Sequence, residues 1–181
     1  MAVFAALFLV SAKNSGVTPD VGFRPGEQLP SVEVEGVRWF SDLRYDSISY
    51  VVVWSKDDAL SRAVSAWVSR SAADSAVGTY SVCVDSDQTD AQLFSLLDAV
   101  TPDTEVLGLG AKGVNKRDLK AFKKEAVGRL FVVKQGVISD VLDTETVWQM
   151  ISSGADLLKE RAVFGAENSG ESPRDVVFAA L

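Results

Sequence analysis

The segment ISYVVVW, residues 48–54, constrains the fold more than any other part of the chain. It is almost entirely apolar and β-branched, which is typical of a strand covered on both faces. An amphipathic helix is predicted directly after it, over residues 57–70. Its apolar stripe comprises Leu60, Ala63, Val64, Trp67 and Val68, and its polar face comprises Ser61, Arg62, Ser65, Ser69 and Arg70. A second interior strand is predicted over residues 79–85, so the two strands should pair in parallel.

The remaining elements predict antiparallel strands and further helices. Residues 32–40 alternate between apolar and charged side chains and predict a hairpin with one solvated face. Residues 129–142 predict a second hairpin around a tight turn at Lys134-Gln135-Gly136. A further helix is predicted over residues 89–100, capped by Thr89 or Asp90, with its apolar residues buried: Leu93, Phe94, Leu97 and Val100. Another is predicted over residues 115–127, where Asn115 and Asp118 form a capping box. A last helix is predicted from Thr144 onward. These elements predict an α/β fold with a mixed central sheet and helices on both faces.

This order of elements resembles the thioredoxin-like arrangement, a three-layer sandwich. The segment around residues 28–54 resembles the entry segment of the envelope thioredoxin-like oxidoreductases of the TlpA/ResA class, which are related to the AhpC/TSA proteins. The matching positions are Pro30, Gly36, Ser41, Leu43 and Trp54. VCVDSDQTDAQLF looks like the family's second strand and following helix, and LFVVKQGVI looks like its closing hairpin. The resemblance covers about residues 28–152.

The chain departs from that family at the redox motif. The resemblance implies Trp-Cys-x-x-Cys-Arg after Trp54, but Asp58 stands in the place of the attacking cysteine and Ser61 in that of the resolving one. Asp57 takes the place of the second tryptophan, and Arg62 matches. Dithiol exchange needs a thiolate and a second thiol, and a carboxylate and a hydroxyl supply neither.

The family's cis-proline is missing as well. The matching stretch reads Ala126-Val127-Gly128-Arg129, where we expect a trans bond because a cis bond without proline costs about 3 kcal/mol. In the family these two elements form a surface that grips extended polypeptide. The resemblance implies that its counterpart here would be lined by the redox-site positions Asp58, Ser61, Val127 and Gly128 and would extend over Trp54, Asp57 and Arg62.

A purely structural interpretation of Ser55 to Asp58 is also available. Ser55 is predicted to cap the helix, with Asp58 as its capping-box partner. Asp57 and Asp58 would then lie at the positive end of the helix dipole. The functional interpretation is a pair of carboxylates acting as acid and base or binding a cation, but two adjacent carboxylates without a third ligand make a poor metal site. We therefore predict no metal. Trp39 and Trp54 could flank a groove at this site, but their strand contexts favour the core.

Composition excludes several classes of function. The 181 residues include no histidine and one cysteine, Cys83, which removes histidine-based catalysis, internal disulfides and a CxxC pair. Cys83 lies within a predicted interior strand, where a thiol is inert, and the sequence places neither a cation nor a helix start beside it. The net charge of −7 argues against nucleic-acid binding.

Two further motifs have ordinary explanations. GLGAKG, residues 108–113, matches the glycine pattern of dinucleotide-binding sites. Such a site needs a full strand before the glycines and a helix that begins inside the pattern, and the sequence predicts neither. The segment is therefore predicted to be a loop within a connection over residues 104–114. The helix over residues 115–127 belongs to a basic run, which predicts a solvated face or a docking surface for an acidic partner. No cofactor is predicted.

The termini bear on localisation. Residues 1–12 are apolar but too short to span a bilayer, and they predict either a signal-peptide remnant or an N-terminal strand or helix packed on the core. Residues 13–27 are predicted to be an irregular lead-in, residues 28–164 the thioredoxin-like domain and residues 165–181 a flexible tail. The expected location is the periplasm or cell envelope, or the cytoplasm if residues 1–12 are not a signal remnant. No membrane span is predicted.

Three functions remain open at this point. The first is a redox-inactive thioredoxin-like domain that serves as a binding or scaffold module for another protein or a peptide. The alternative is a thiol-dependent oxidoreductase or peroxidase that relies on Cys83 or on a partner's thiol. The structural role of a subunit docked through the basic helix is a third possibility. The oligomeric state cannot be deduced from the sequence.

Overall fold

The computed structural model describes residues 20–40, 48–73, 77–112 and 114–154. The strands are β1 (Val32–Val34), β2 (Val37–Trp39), β3 (Ile48–Trp54), β4 (Gly78–Cys83), β5 (Glu105–Gly108), β6 (Arg129–Lys134) and β7 (Val137–Asp143). The helices are α1 (Ala59–Ala72), α2 (Gln88–Leu97), α3 (Lys116–Glu125) and α4 (Thr144–Ser152).

The central sheet has five strands in the order β5-β4-β3-β6-β7. β3 pairs in parallel with β4, which pairs in parallel with β5, whereas β6 is antiparallel to both β3 and β7. β1 and β2 form a separate antiparallel hairpin. The predicted α/β fold, with a parallel part and a closing antiparallel hairpin, is confirmed.

The two faces of the sheet carry separate cores. Tyr50 and Val52 of β3 lie on one face, in a cluster with Val64 of α1 and Val147 of α4. The alternate residues Val51 and Val53 lie on the other face, where they pack with Phe122 of α3 and with the β1–β2 hairpin. Since β3 is covered on both sides, its continuous apolar sequence is explained by its position.

The predicted orientation of α1 is wrong in part: Val64 and Val68 are buried as expected, but serines of the predicted polar face are buried as well. Ser61, Ser65 and Ser69, which were expected to face solvent, are all at most 4% exposed. Ser65 Oγ lies 2.8 Å from Ser81 Oγ of β4, and Ser69 Oγ lies 2.9 Å from Thr104 Oγ1. β4 and the loop after α2 present hydroxyl groups to the helix, so a serine stripe can be buried with its hydrogen bonds satisfied.

The predicted burial in α2 is also wrong in part. Leu93 and Leu97 are 52% and 70% exposed, and Leu96 is 75% exposed. The buried residues are Ala91 and Ser95. The helix begins after Asp87, whose carboxylate accepts from the Asp90 N–H, so the expected cap at Thr89 or Asp90 lies too far along the chain.

The connection predicted over residues 104–114 contains the edge strand β5. Gly108 ends this strand, and a Cβ atom there would collide with the main chain of Asp87 and Gln88. The Gly108 N–H donates to Gln88 Oε1 at 2.8 Å, and the Gly110 N–H donates to the Ser86 carbonyl at 2.8 Å. These two glycines therefore allow two loops to pack closely. The next helix starts only at Lys116.

Other predictions agree with the structure. The hairpin of β6 and β7 turns at Gln135 and Gly136, both with positive φ, and Asn115 caps α3 by accepting from the Arg117 N–H.

Before β1, Phe23 packs edge-on against Phe122 at a centroid distance of 5.1 Å. The predictions for residues 1–12 and 165–181, and for any extension of α4 beyond residue 154, lie outside the described residues. Within the described part of the chain, no helix combines the length and the apolar character needed to cross a bilayer.

Candidate functional site at the start of helix α1

Asp58 is the N-cap of α1. Its Oδ1 accepts from the main-chain N–H groups of Leu60 and Ser61, at 3.1 Å each. The prediction that Ser55 is the cap is therefore wrong, and the helix begins two residues later than expected, at Ala59. A capping carboxylate satisfies donors that the helix leaves free and interacts favourably with the positive end of its dipole.

Ser55 is not available as a cap because it is bound to Asp85. Its hydroxyl donates to Asp85 Oδ2 at 2.7 Å, and the Lys56 N–H donates to Asp85 Oδ1 at 3.0 Å. Burial alone would raise the pKa of Asp85, but the hydrogen bonds from Lys56 and Ser55 lower it overall. Asp85 follows β4 as Ser55 follows β3, so the carboxylate ties together the ends of two parallel strands.

Gly128 lies beside Asp58, as the resemblance predicted. A Cβ atom at Gly128 would be 4.0 Å from Asp58 Oδ2, and its φ of +74° favours glycine. No cis peptide bond occurs among the described residues, in agreement with the expected trans bond. The Gly128 N–H donates to the Val53 carbonyl at 2.9 Å, and its own carbonyl accepts from Thr144 at 2.8 Å. The main-chain groups of Gly128 are therefore used within the fold. Val127 is half-buried and packs against the core.

Two of the residues expected to line this surface are buried. Trp54 is 1% exposed, and its indole N–H donates to Ser81 Oγ at 2.8 Å. Ser61 is fully buried, and its hydroxyl donates to the Asp58 carbonyl at 3.2 Å. Neither side chain can contact a partner, which corrects their assignment to the binding surface. Asp57 is exposed and Asp58 is partly exposed, so these carboxylates remain accessible.

Arg62 joins α1 to α2. Its guanidinium donates to both carboxylate oxygens of Asp98, at 2.8 Å each, and lies 4.9 Å from the centre of the Phe94 ring. The bond to Asp98 raises the pKa of Arg62 despite its partial burial. Bidentate geometry and stacking hold this side chain in one orientation. Arg62 therefore acts in the structure as a bridge between helices, a role that the sequence alone does not reveal.

Cys83 lies at the end of β4 and is fully buried among Trp54, Ala91, Phe94 and Val106. Burial raises the pKa of the Cys83 thiol, and its Sγ lies 3.2 Å from Asp85 Oδ1. A buried, protonated thiol is a poor nucleophile.

A groove of about 420 Å³ lies on the outer side of α1. Its lining includes alanines of α1, Trp67, and Trp148 and Ile151 of α4, together with Arg62 and Arg70. Arg70 donates to the carbonyl of Ala99 at 3.2 Å. The groove has the size of a ligand pocket and a largely apolar lining, so it can accept an apolar side chain.

The remaining candidates provide no chemical site. In the part of the chain that the structure describes, no three histidine, cysteine, aspartate or glutamate residues are grouped to hold a metal. The basic residues of α3 are mostly exposed, while Phe122 and Leu119 pack against the core. This helix is therefore a solvated face on the side of the sheet opposite α1.

Solved structures with a similar fold are thioredoxin-like proteins. A thioredoxin-like protein from Parabacteroides distasonis is 18% identical, with a TM-score of 0.51 over 73% of this chain and 97% of that one. The thioredoxin domain of a thiol-disulfide oxidoreductase from Bacteroides vulgatus is 15% identical, with a TM-score of 0.49 over 73% and 98% of the two chains. No protein-family profile and no curated protein matches the sequence. The chain has a thioredoxin-like fold.

Proposed function

We propose that this protein is a redox-inactive thioredoxin-like module that binds another protein or a peptide. The observation that carries the proposal is the side chain at the start of α1, where the carboxylate of Asp58 caps the helix and no thiol is present to attack a disulfide. By the resemblance to the TlpA/ResA class, this is the position of the attacking cysteine. The helix start that would stabilise a thiolate there stabilises a carboxylate.

The state of Cys83 supports the same proposal. Its thiol is fully buried, its pKa is raised, and no second cysteine exists in the chain to resolve a mixed disulfide. A catalytic cycle of thiol-disulfide exchange needs both an accessible thiolate and a resolving thiol. The fold of this protein therefore provides binding surfaces and does not carry out thiol-disulfide exchange.

Assays of enzymatic turnover test the proposal of redox inactivity. We expect no reduction of insulin with dithiothreitol as the electron source, and no thiol-dependent consumption of hydrogen peroxide, above the rate without protein. A Cys83→Ala variant is the matched control and should give the same background rate. Turnover by the wild-type protein that is lost in Cys83→Ala would overturn the proposal and favour a thiol-dependent enzyme.

We propose the cell envelope as the location, on the strength of the resemblance to envelope oxidoreductases and of the apolar run over residues 1–12. Fractionation of the source cells, followed by immunoblotting, tests this point separately. Recovery in the cytoplasmic fraction alone would contradict it without affecting the proposal of redox inactivity.

A further inference from the structure

Helix α2 presents three leucines to solvent. Leu93, Leu96 and Leu97 are 52%, 75% and 70% exposed, respectively. Their spacing places them on one arc of the helix, opposite the buried Ala91 and Ser95. Single exposed apolar side chains are common on soluble proteins, whereas three adjoining ones on one arc form an apolar patch, the feature by which interaction surfaces are recognised. We call these three residues the leucine face.

The charges around the leucine face are mainly acidic. α2 contains no lysine or arginine, and Asp87 and Asp90 lie at its start. Asp103 and Glu105, in the loop after α2 and in the neighbouring strand β5, are exposed. Among the described residues, none of these four carboxylates forms an ion pair, whereas Asp98 is paired with Arg62. The surface therefore combines apolar side chains with an excess of negative charge.

We propose that the leucine face binds a basic amphipathic helix of a partner protein. The spacing of the leucines forms a ridge of the kind that packs against another helix. Lysine or arginine residues beside the partner's apolar stripe would face the carboxylates at the start of α2 and at the start of β5. This inference deepens the proposed function, on which it rests, by naming a binding surface and the chemistry of the partner.

The basic helix α3 of a second copy of this chain would fit the leucine face poorly. The basic helix α3 supplies positive charge, but Phe122 is fully buried and Leu119 packs against the same core. Its exposed positions include Lys116, Lys120 and Lys124. A copy of α3 would thus bring charge without an apolar stripe, so it could not cover the three leucines.

The test uses the full chain and a synthetic helical probe. The probe is a fluorescent peptide with leucines at positions i, i+3, i+4 and i+7, flanked by lysines, and a second peptide carries glutamates in place of the lysines. Fluorescence anisotropy should show binding of the lysine peptide, weakening as salt is raised, and at least tenfold weaker binding of the glutamate peptide.

Variants locate the surface. The double variant Leu96→Gln and Leu97→Gln should bind the lysine peptide about tenfold more weakly or worse. Val37→Gln is the matched control, because Val37 is also exposed, at 53%, but lies on the β1–β2 hairpin. Its affinity should equal that of the wild type. Since all three positions are exposed, the variants should fold, which circular dichroism checks.

The inference would be overturned if the full chain did not bind the lysine peptide, if it bound both peptides equally, or if the double variant bound the lysine peptide as tightly as the wild type. A wild-type dimer in sedimentation equilibrium that the double variant loses would assign the face to a second copy and also overturn it. Failure of peptide binding, with Cys83 unreactive, would overturn the leucine face as a binding site and leave redox inactivity standing. Enzymatic turnover with intact peptide binding would overturn redox inactivity and leave the leucine face as a binding site.

Discussion

Replacement of Asp58 by alanine tests the role of the α1 cap. The change removes two hydrogen bonds, to the N–H groups of Leu60 and Ser61, and a negative charge at the positive end of the helix dipole. Loss of a cap costs about 1 kcal/mol, and the charge contributes about 0.3–1 kcal/mol more. We therefore expect Asp58→Ala to lower the free energy of unfolding by about 1–2 kcal/mol, or the melting temperature by about 2–8 °C.

The assay is urea unfolding at neutral pH, followed by fluorescence of the four tryptophans. Asp57→Ala is the matched control, because Asp57 is the adjacent carboxylate and makes no cap, so its effect should be less than half as large. Asp58→Asn, which keeps a capping acceptor, should recover most of the loss. Equal effects of Asp57→Ala and Asp58→Ala would refute the assignment of Asp58 as the cap.

Three further predictions concern buried or crowded groups. Asp85→Asn should cost about 1–2 kcal/mol at neutral pH, because the carboxylate accepts from Ser55 and Lys56. The pKa of Asp85 is lowered in the folded protein. The difference in free energy of unfolding between the wild type and Asp85→Asn should therefore be complete above pH ~4 and fade as the pH falls through the folded pKa. Urea unfolding at several pH values measures this difference, and a difference that does not change with pH would contradict the prediction. Gly108→Ala should cost about 1–3 kcal/mol in the same assay, because its Cβ would collide with the main chain of Asp87, and a neutral effect would contradict that close approach. Ser81→Ala should lower the free energy of unfolding by about 1–3 kcal/mol, because it leaves the Trp54 indole N–H and the Ser65 hydroxyl without this partner. It should also change the native fluorescence of Trp54. An unchanged fluorescence spectrum would count against the contact between Trp54 and Ser81.

The fold could be predicted from the sequence wherever apolar periodicity matched burial. β3 and the β6–β7 hairpin lie where the sequence predicts them, since each combines an apolar run with a clear boundary such as Gly136. β5 could not be predicted, because a strand of four residues that ends in glycine has no period of its own. Its position depends on pairing with β4, a long-range contact.

The helices show where periodicity fails. Ser61, Ser65 and Ser69 suggest a polar outer face, yet Ser81, Thr101 and Thr104 provide hydrogen bonds that allow burial. Leu93 and Leu97 suggest a buried face, yet the fold buries Ala91 and Ser95 against the sheet. The partners Ser81 and Thr104 lie 16 and 35 residues from Ser65 and Ser69 along the chain, and Ala91 packs against Trp54 and Cys83 of the sheet. Local hydrophobicity does not encode these tertiary contacts, so it indicates the wrong face.

The candidate site was predicted in outline only. The resemblance correctly anticipates that Asp58 and Gly128 lie together. It does not anticipate that Asp85, rather than Asp58, is the partner of Ser55, nor that Arg62 is held by Asp98. These are side-chain hydrogen bonds between elements about 30 residues apart or more, and nothing in the spacing of the residues encodes them.

The reactivity of Cys83 in the native protein tests the central claim of redox inactivity most directly. The measurement is the rate of labelling by a thiol reagent at neutral pH, in the folded protein and in concentrated urea. Because the thiol is buried, labelling should require opening of the fold and be at least about a thousandfold slower than in urea. Asp58→Ala, which is expected to lower the free energy of unfolding by about 1–2 kcal/mol, should then speed native labelling about 5- to 30-fold. Rapid labelling of the native protein at a rate that Asp58→Ala leaves unchanged would contradict the account.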